Sequence, residues 1–274
     1  MPAAVVPVAV GAASAVGEPT DIVWWRVAAA LIVSLSLQVG VNYANDYSDG
    51  VRGTDDVRVG PTRLVASGLA SPSAVKRAAL LSFAVAAVAG LTIALSTSLI
   101  LLVVGAAAIA AGWFYTGGPK PYGYLGLGEV FVFVFFGLVA TAGTTFAAIE
   151  SVTALSVVMG SGVGALACAL LVINNLRDIP TDREVGKKTL AVRLGDQRTR
   201  WFYVGLIGAA FVLSAVGAAW RLPVLLGLAA IPLAIRPVRS VLGGATGAAL
   251  IPVLGATGKL QLAWGLLVTV GLAL

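Results

Sequence analysis

Histidine is absent from the 274 residues, and cysteine occurs once, as Cys168. The first absence excludes a Ser-His-Asp triad, a Cys-His pair and any imidazole metal site. The second excludes a disulfide and a thiolate cluster; Cys168 sits in an apolar run and reads as a buried structural thiol. Any metal bound here must be a hard cation on oxygen ligands. Charge is also scarce, at 11% of residues against 59% hydrophobic, which excludes an ordinary water-soluble domain. Strong period-2 alternation is missing too, so the backbone can satisfy itself in lipid only as helices. The glycine-rich run at 115–129 is followed by no Gly-Lys-Ser/Thr and is no phosphate-binding P-loop.

What is present is a repeated apolar signal, with a mean hydropathy of +0.97. Apolar spans fall near residues 2–17, 23–46, 74–95, 97–115, 125–148, 152–174, 201–219, 222–240 and 258–274. Stretches of roughly 20 residues suffice to cross a ~30 Å hydrocarbon core. The opening "MPAAVVPVAVGAASAVG" lacks a basic segment ahead of its apolar part and is followed by further spans, so it reads as a short first membrane helix rather than a signal peptide. The expected fold is an all-α, multi-pass membrane protein of about nine transmembrane helices, forming one domain over 1–274 with long charged loops at 47–73 and 175–200. Of the 18 Lys and Arg residues, Arg26 and Arg221 alone fall on the side of the short breaks. The positive-inside rule then puts the amino terminus and the long loops in the cytoplasm and the carboxyl terminus outside. The net charge of +6 follows from that topology and from attraction to anionic phosphate, with no nucleic-acid patch needed. Gly160 with Gly164, and Gly243 with Gly247, have the spacing that lets helices approach closely in lipid.

Two polar constellations interrupt this pattern. In "VNYANDYSDGVRGTDD", Asn42, Asn45, Asp46 and Asp49 stand at i, i+3, i+4 and i+7 and share one helix face. Gly50 offers a helix stop that would leave them at the membrane rim. In "VINNLRDIPTDREVGKKTLAVRLG", Asn175, Asp178 and Asp182 repeat the spacing, with Pro180 able to kink the turn. A carboxylate near hydrocarbon costs ~2.5–3.5 kcal/mol even on lenient insertion scales, so each patch implies a partner. Converging acids without histidine suit Mg²⁺, which takes a few carboxylates plus substrate phosphates. Arg52, Arg63, Arg177, Arg183, Lys187, Lys188 and Arg193 in the same loops would bind the remaining phosphate oxygens. Acids for metal and bases for phosphate together describe a diphosphate site.

With "NDYSD" and "DIPTD" in these places, the sequence resembles the UbiA superfamily of intramembrane aromatic prenyltransferases. "NYANDYSDGVRGTD", "RVGPTRLVASG", "YTGGPKPYGYLGLGEVFVFVFFG" and "NNLRDIPTDREVGKKTLAVRLG" bring it nearest to the 1,4-dihydroxy-2-naphthoate polyprenyltransferase branch. The resemblance implies nine helices around a central cavity in the cell (inner) membrane, with two Mg²⁺ ions holding a polyprenyl diphosphate at the cytosolic rim. It implies metal ligation by Asn45, Asp46, Asp49, Asp178 and Asp182, the four acids also being the catalytic set. Asn42, Arg63, Lys120, Asn175 and Lys187 would contact substrate, and Tyr115 or Tyr122 would border the reacting carbon. The expected reaction joins the prenyl group to 1,4-dihydroxy-2-naphthoate with loss of diphosphate and CO2, giving demethylmenaquinone, and the prenyl tail needs an apolar groove open to lipid.

The match has departures. Where the superfamily often has a third Asp, Gly53 stands, leaving Asp55 as a secondary candidate with the role of Asp56 open. The family's basic, Pro-containing segment before the first span is replaced by "MPAAVVP", which fits either a truncated or a late-starting chain. Glu129, an acid in an apolar neighbourhood, either acts near the aromatic substrate or is a rim residue capped by loop groups. Prenylation of 4-hydroxybenzoate, homogentisate or a sugar phosphate is the alternative within the enzyme class. A cation-coupled transporter is the alternative outside it, disfavoured because transporter sites sit near the midplane. The sequence sets neither prenyl chain length nor oligomeric state.

Overall fold

The computed structural model describes residues 1–54 and 62–274, so Asp55, Asp56 and Arg58 lie outside the described residues. Among the described residues all regular structure is helical. Seven helices are long and apolar enough to cross a membrane: α2 (Trp24–Arg52), α3 (Pro72–Ser96), α5 (Gly128–Ile149), α6 (Ala154–Glu184), α8 (Asp196–Gly217), α9 (Leu222–Leu242) and α10 (Gly247–Ala273). Two apolar helices, α1 (Pro2–Ser14) and α4 (Ile100–Phe114), are shorter, and α7 (Leu190–Leu194) is a single turn. The chain is therefore a multi-pass helical membrane protein.

Local chemistry sets the starts and stops. Ser71 accepts from Ala74 N at the head of α3, with Pro72 at its first position, and Thr153 accepts from Ser156 N at the head of α6. The second span runs past Gly50, which was expected to stop it. The stop is Gly53, whose left-handed φ of 71° ends α2 one turn later. Gly50 instead provides room, since a Cβ there would lie 2.6 Å from the Val65 side chain. Pro180 does not end α6 either: the helix continues through it to Glu184.

α6 is the most buried of the spans and lies at the centre of the main apolar cluster, against α1, α8 and α10. Its contact with α5 is made at glycines, as the Gly160 and Gly164 spacing predicts. A Cβ on Gly137 would come within 2.5 Å of Gly164 Cα, and a π-helical stretch at Phe133–Val139 accommodates the approach. The other glycine pair behaves differently. Gly243 follows the end of α9 and Gly247 opens α10 with φ 50° and no neighbour in reach of a Cβ, so neither packs one helix on another. Cys168 is buried as expected, donating to the Glu129 carbonyl across the α5–α6 contact at 3.1 Å.

The two basic residues that break the charge asymmetry are both consumed as helix-end clamps. Arg26 pairs with Glu150 at 2.7 Å and donates to Ser96 O, joining α2, α3 and α5. Arg221 donates to the carbonyls of Ala13, Val16 and Leu272, which have no further turn of helix to accept from. The opposite side is left for the site.

Replacing Gly137 by Val should force α5 away from α6. Because the clash is with backbone, the loss should exceed the usual ~1–3 kcal/mol of overpacking and appear as a lowered thermal-unfolding midpoint in detergent. An unchanged midpoint would contradict this packing.

Candidate active site

A cavity of about 980 Å³ opens between α1 to α6, walled mostly by Ala, Gly, Val and Leu from α3 and α4 and by aromatic rings from α5. Polar groups gather at one end. Asn42, Asn45 and Asp46 reach it from α2, Arg63 from the loop before α3, Asn175, Asp178 and Asp182 from α6, and Lys187 from the loop before α7. The two motifs, about 130 residues apart in sequence, thus meet across one cavity. Lys120 is exposed and is not among the lining residues.

The acids differ in their surroundings. Asp46, 6% exposed, accepts from the backbone N–H groups of Leu64 and Val65 at 2.9 and 3.0 Å. Its carboxylate thereby docks the 62–70 segment onto α2, beside the space that Gly50 leaves. Asp49 stands behind the lining, under Tyr124. The Tyr124 hydroxyl donates to its Oδ1 at 2.6 Å, and Lys187 Nζ lies 3.4 Å from its Oδ2. Asp178 takes a two-pronged bond from Arg177 at 2.6 and 2.7 Å. Asp182 accepts from the Thr189 hydroxyl at 3.4 Å, while its main-chain oxygen accepts from Lys187 N at 2.8 Å. Asn45 Oδ1 accepts from Thr116 at 2.9 Å, and Asn42 donates to Gln38 O within its own helix.

Tyr124 was not singled out from the sequence, yet it joins the two halves. Its ring lies between Arg52, 5.5 Å from the centroid, and Lys187, at 4.6 Å. Its carbonyl accepts from Lys188 N at 2.9 Å, and Arg52 in turn donates to the carbonyls of Thr116 and Gly118. The 115–127 segment is therefore tied at both ends to the acidic motifs. Burial first, and then the charge of Asp49, push the Tyr124 hydroxyl above its usual range, so it stays protonated and able to donate at neutral pH.

The same segment builds the aromatic wall. Tyr115 meets Tyr122 edge-on at 5.5 Å, Tyr122 stacks on Phe131 at 4.0 Å, and Phe131 continues to Phe135. The Tyr122 hydroxyl donates to Ala111 O at 2.8 Å, so this residue offers the cavity its ring face.

Among the described residues no three Asp or Glu side chains are grouped as a metal cage. The donor set is nonetheless all oxygen, with acids from two helices at the mouth of one cavity. That suits a hexacoordinate hard cation taking one or two carboxylates and completing its shell with phosphate oxygens and water.

The fold and this rim define a class: an intramembrane enzyme with an apolar chamber and a charged mouth. The chain belongs to the UbiA prenyltransferase family, whose model matches residues 4–242. It is 50% identical to the 1,4-dihydroxy-2-naphthoate octaprenyltransferase of Mycobacterium tuberculosis, over 100% of this chain and 93% of that one. A UbiA homolog from Aeropyrum pernix K1 shares the fold with a TM-score of 0.76 at 14% identity, over 97% of both chains. A UbiA homolog from Archaeoglobus fulgidus bound to DMAPP and Mg²⁺ superposes with a TM-score of 0.60 at 15% identity, over 98% of this chain and 96% of that one.

Tyr124→Phe should remove a hydrogen bond to a charged acceptor, worth roughly 1.5–3 kcal/mol, and leave Asp49 with Lys187. Turnover is expected to fall about tenfold or more while the protein still folds; wild-type turnover in the purified variant would separate Tyr124 from the site.

Proposed function

We propose that this prenyltransferase moves a polyprenyl group from polyprenyl diphosphate to 1,4-dihydroxy-2-naphthoate, releasing diphosphate and CO2 and giving the quinol, demethylmenaquinol, for menaquinone synthesis. The observation that carries the reading is the convergence of both Asn/Asp motifs with Lys187 and Arg63 at the mouth of one apolar cavity. The 50% identity to a naphthoate octaprenyltransferase over the whole chain supports the choice of acceptor.

In this reading Asp49, Asp178 and Asp182, with Asn45 and Asp46 beside them, hold two Mg²⁺ ions. Bound there, the metal supplies charge neutralisation for the diphosphate as a leaving group. Arg63 and Lys187 donate to the phosphate oxygens. Asn42 lines the same mouth and contacts the diphosphate end of the donor. As the allylic carbon to oxygen bond ionises, the ring faces of Tyr122 and Phe131 border the cationic carbon. The naphthalene ring attacks that carbon, and the apolar walls exclude the water that would otherwise capture it. The Ala- and Gly-rich faces of α3 and α4 receive the prenyl tail. The charge distribution supports a cytoplasmic site rim in the cell membrane.

Purified protein given Mg²⁺, polyprenyl diphosphate and 1,4-dihydroxy-2-naphthoate should form a decarboxylated, prenylated quinol detectable by chromatography. Chelation should abolish product and added Mg²⁺ should restore it. Asp178→Ala or Asp182→Ala should lower turnover at least about a hundredfold, from the loss of charge stabilisation at the reacting group. Absence of product with donors of every chain length would overturn the reading, and an active Asp182→Ala would remove that residue from the site.

A further inference from the structure

Glu129 is the acid that the diphosphate site does not use. It stands in the first turn of α5, inside the apolar part of the molecule, and is only 5% exposed. Its main-chain oxygen is held by Cys168, which fixes this turn against α6. Its Oε1 accepts from Asn175 Nδ2 at 2.9 Å, whereas its Oε2 has no hydrogen-bond partner among the described residues. A buried carboxylate left half-satisfied costs stability, and such groups persist where they set up something else.

What it sets up is the orientation of an amide. A carboxylate oxygen accepts and an amide nitrogen donates, so Glu129 fixes which end of Asn175 faces it. Asn175 lines the cavity and Glu129 does not. The amide therefore turns its nitrogen to Glu129 and keeps its oxygen for the chamber. An amide oxygen offers nothing to a deprotonated phosphate, which needs donors. It can receive a hydroxyl proton.

The position agrees with that chemistry. Asn175 is the innermost member of the second motif, ~4.5 Å along the helix axis from Asp178 and ~10 Å from Asp182. It is on the wall that carries Tyr115, whose ring packs over Gly128 next to Glu129, and the stack of Tyr122 on Phe131. A fixed acceptor beside these rings suits a hydroxylated arene, whereas the basic groups lie at the mouth.

We infer that Glu129 is a positioning residue that locks the Asn175 amide with its Oδ1 toward the cavity, where it accepts a hydrogen bond from a ring hydroxyl of the aromatic co-substrate. This rests on the prenyl-transfer reading for the identity of the arene but concerns a different end of the site. The second motif is thereby divided: Asp178 and Asp182 serve the diphosphate, and Asn175 serves the acceptor.

The test is direct binding by calorimetry to the full-length protein in detergent, using 1-hydroxy-2-naphthoate, 4-hydroxy-2-naphthoate and 2-naphthoate. Wild type should bind at least one hydroxylated ring about tenfold tighter than 2-naphthoate, as expected for leaving a buried acceptor unpaired. Asn175→Ala and Glu129→Ala should bring that ratio near one, and Glu129→Gln, which still offers an oxygen to Asn175 Nδ2, should keep it. The KM for prenyl diphosphate and the Mg²⁺ dependence should stay within about twofold in Glu129→Gln and Asn175→Ala. A hydroxyl preference that survives in Asn175→Ala, or is absent from wild type, would overturn the inference. So would a rise in the diphosphate KM or the Mg²⁺ requirement in Asn175→Ala, which would move the residue to the metal site. Asn175→Ala carries the test should Glu129→Ala fail to fold. Binding is read without turnover, so absence of product in wild type would count against the prenyl-transfer reading and leave the hydroxyl preference as a separate result.

Discussion

The site depends on the contact among Asp49, Tyr124 and Lys187. These residues come from α2, from the 115–127 segment and from the loop after α6, three parts of the chain with no covalent proximity. Tyr124 donates to Asp49, carries Lys187 on its ring face and accepts Lys188 N at its carbonyl. Each bond alone is modest in energy, but all lie where water is scarce and an unpaired group is expensive. The network makes the placement of one acidic motif conditional on the other. It also explains why Asp49 stands behind the cavity lining: its two carboxylate oxygens are held by Tyr124 and Lys187.

The apolar chamber poses the opposite problem, because an empty volume beside lipid tends to collapse. It is held open by packing elsewhere. α6 is fixed by close glycine contact with α5 on one side and by the cluster of α8, α9 and α10 on the other. The two arginine clamps, Arg26 and Arg221, pin helix ends at the far side. Packed walls hold the rings of Tyr115, Tyr122 and Phe131 in one stack, the arrangement that the proposed reaction would need beside a short-lived cation.

Much of this was legible from sequence because it is local. The i, i+3, i+4 and i+7 spacing of Asn42, Asn45, Asp46 and Asp49 is a property of one helix, and so is that of Asn175, Asp178 and Asp182. The Gly160–Gly164 contact was legible for the same reason. What was missed is non-local or depends on backbone detail. Nothing near Tyr124 in the chain announces Asp49, 75 residues earlier. The 3₁₀ turn at Tyr122–Leu125 sends Tyr122 to Ala111 and Tyr124 to Asp49, and the residue types of "PYGYLG" do not announce that turn. Gly50 and Gly53 are equally good helix stops by residue type, and a docked loop residue, Val65, decides between them. Asp46 reads as a metal ligand by motif, while its bonds to Leu64 N and Val65 N give it a second task. Gly243 and Gly247 have the spacing of a packing motif but fall past the end of one helix and at the start of the next, where a within-helix spacing has no meaning.

The distribution of charge at the mouth bears on how such a site survives next to hydrocarbon. Asp49 has Lys187, Asp178 has Arg177, and Asp46 has two backbone donors. Asp182 has the Thr189 hydroxyl, so among the described residues none of these four acids faces acids alone. In the proposed reaction a diphosphate entering with divalent cations would likewise bring both signs, so binding would exchange partners rather than add charge of one kind. This keeps the desolvation cost low in both states, since a paired charge loses less on leaving water than a single one. Glu129 is the exception, an acid with a half-empty hydrogen-bond shell and no cation beside it in the apolar interior. Its position off the mouth, against an amide rather than a base, separates it physically from the diphosphate machinery and joins it to the aromatic end of the chamber.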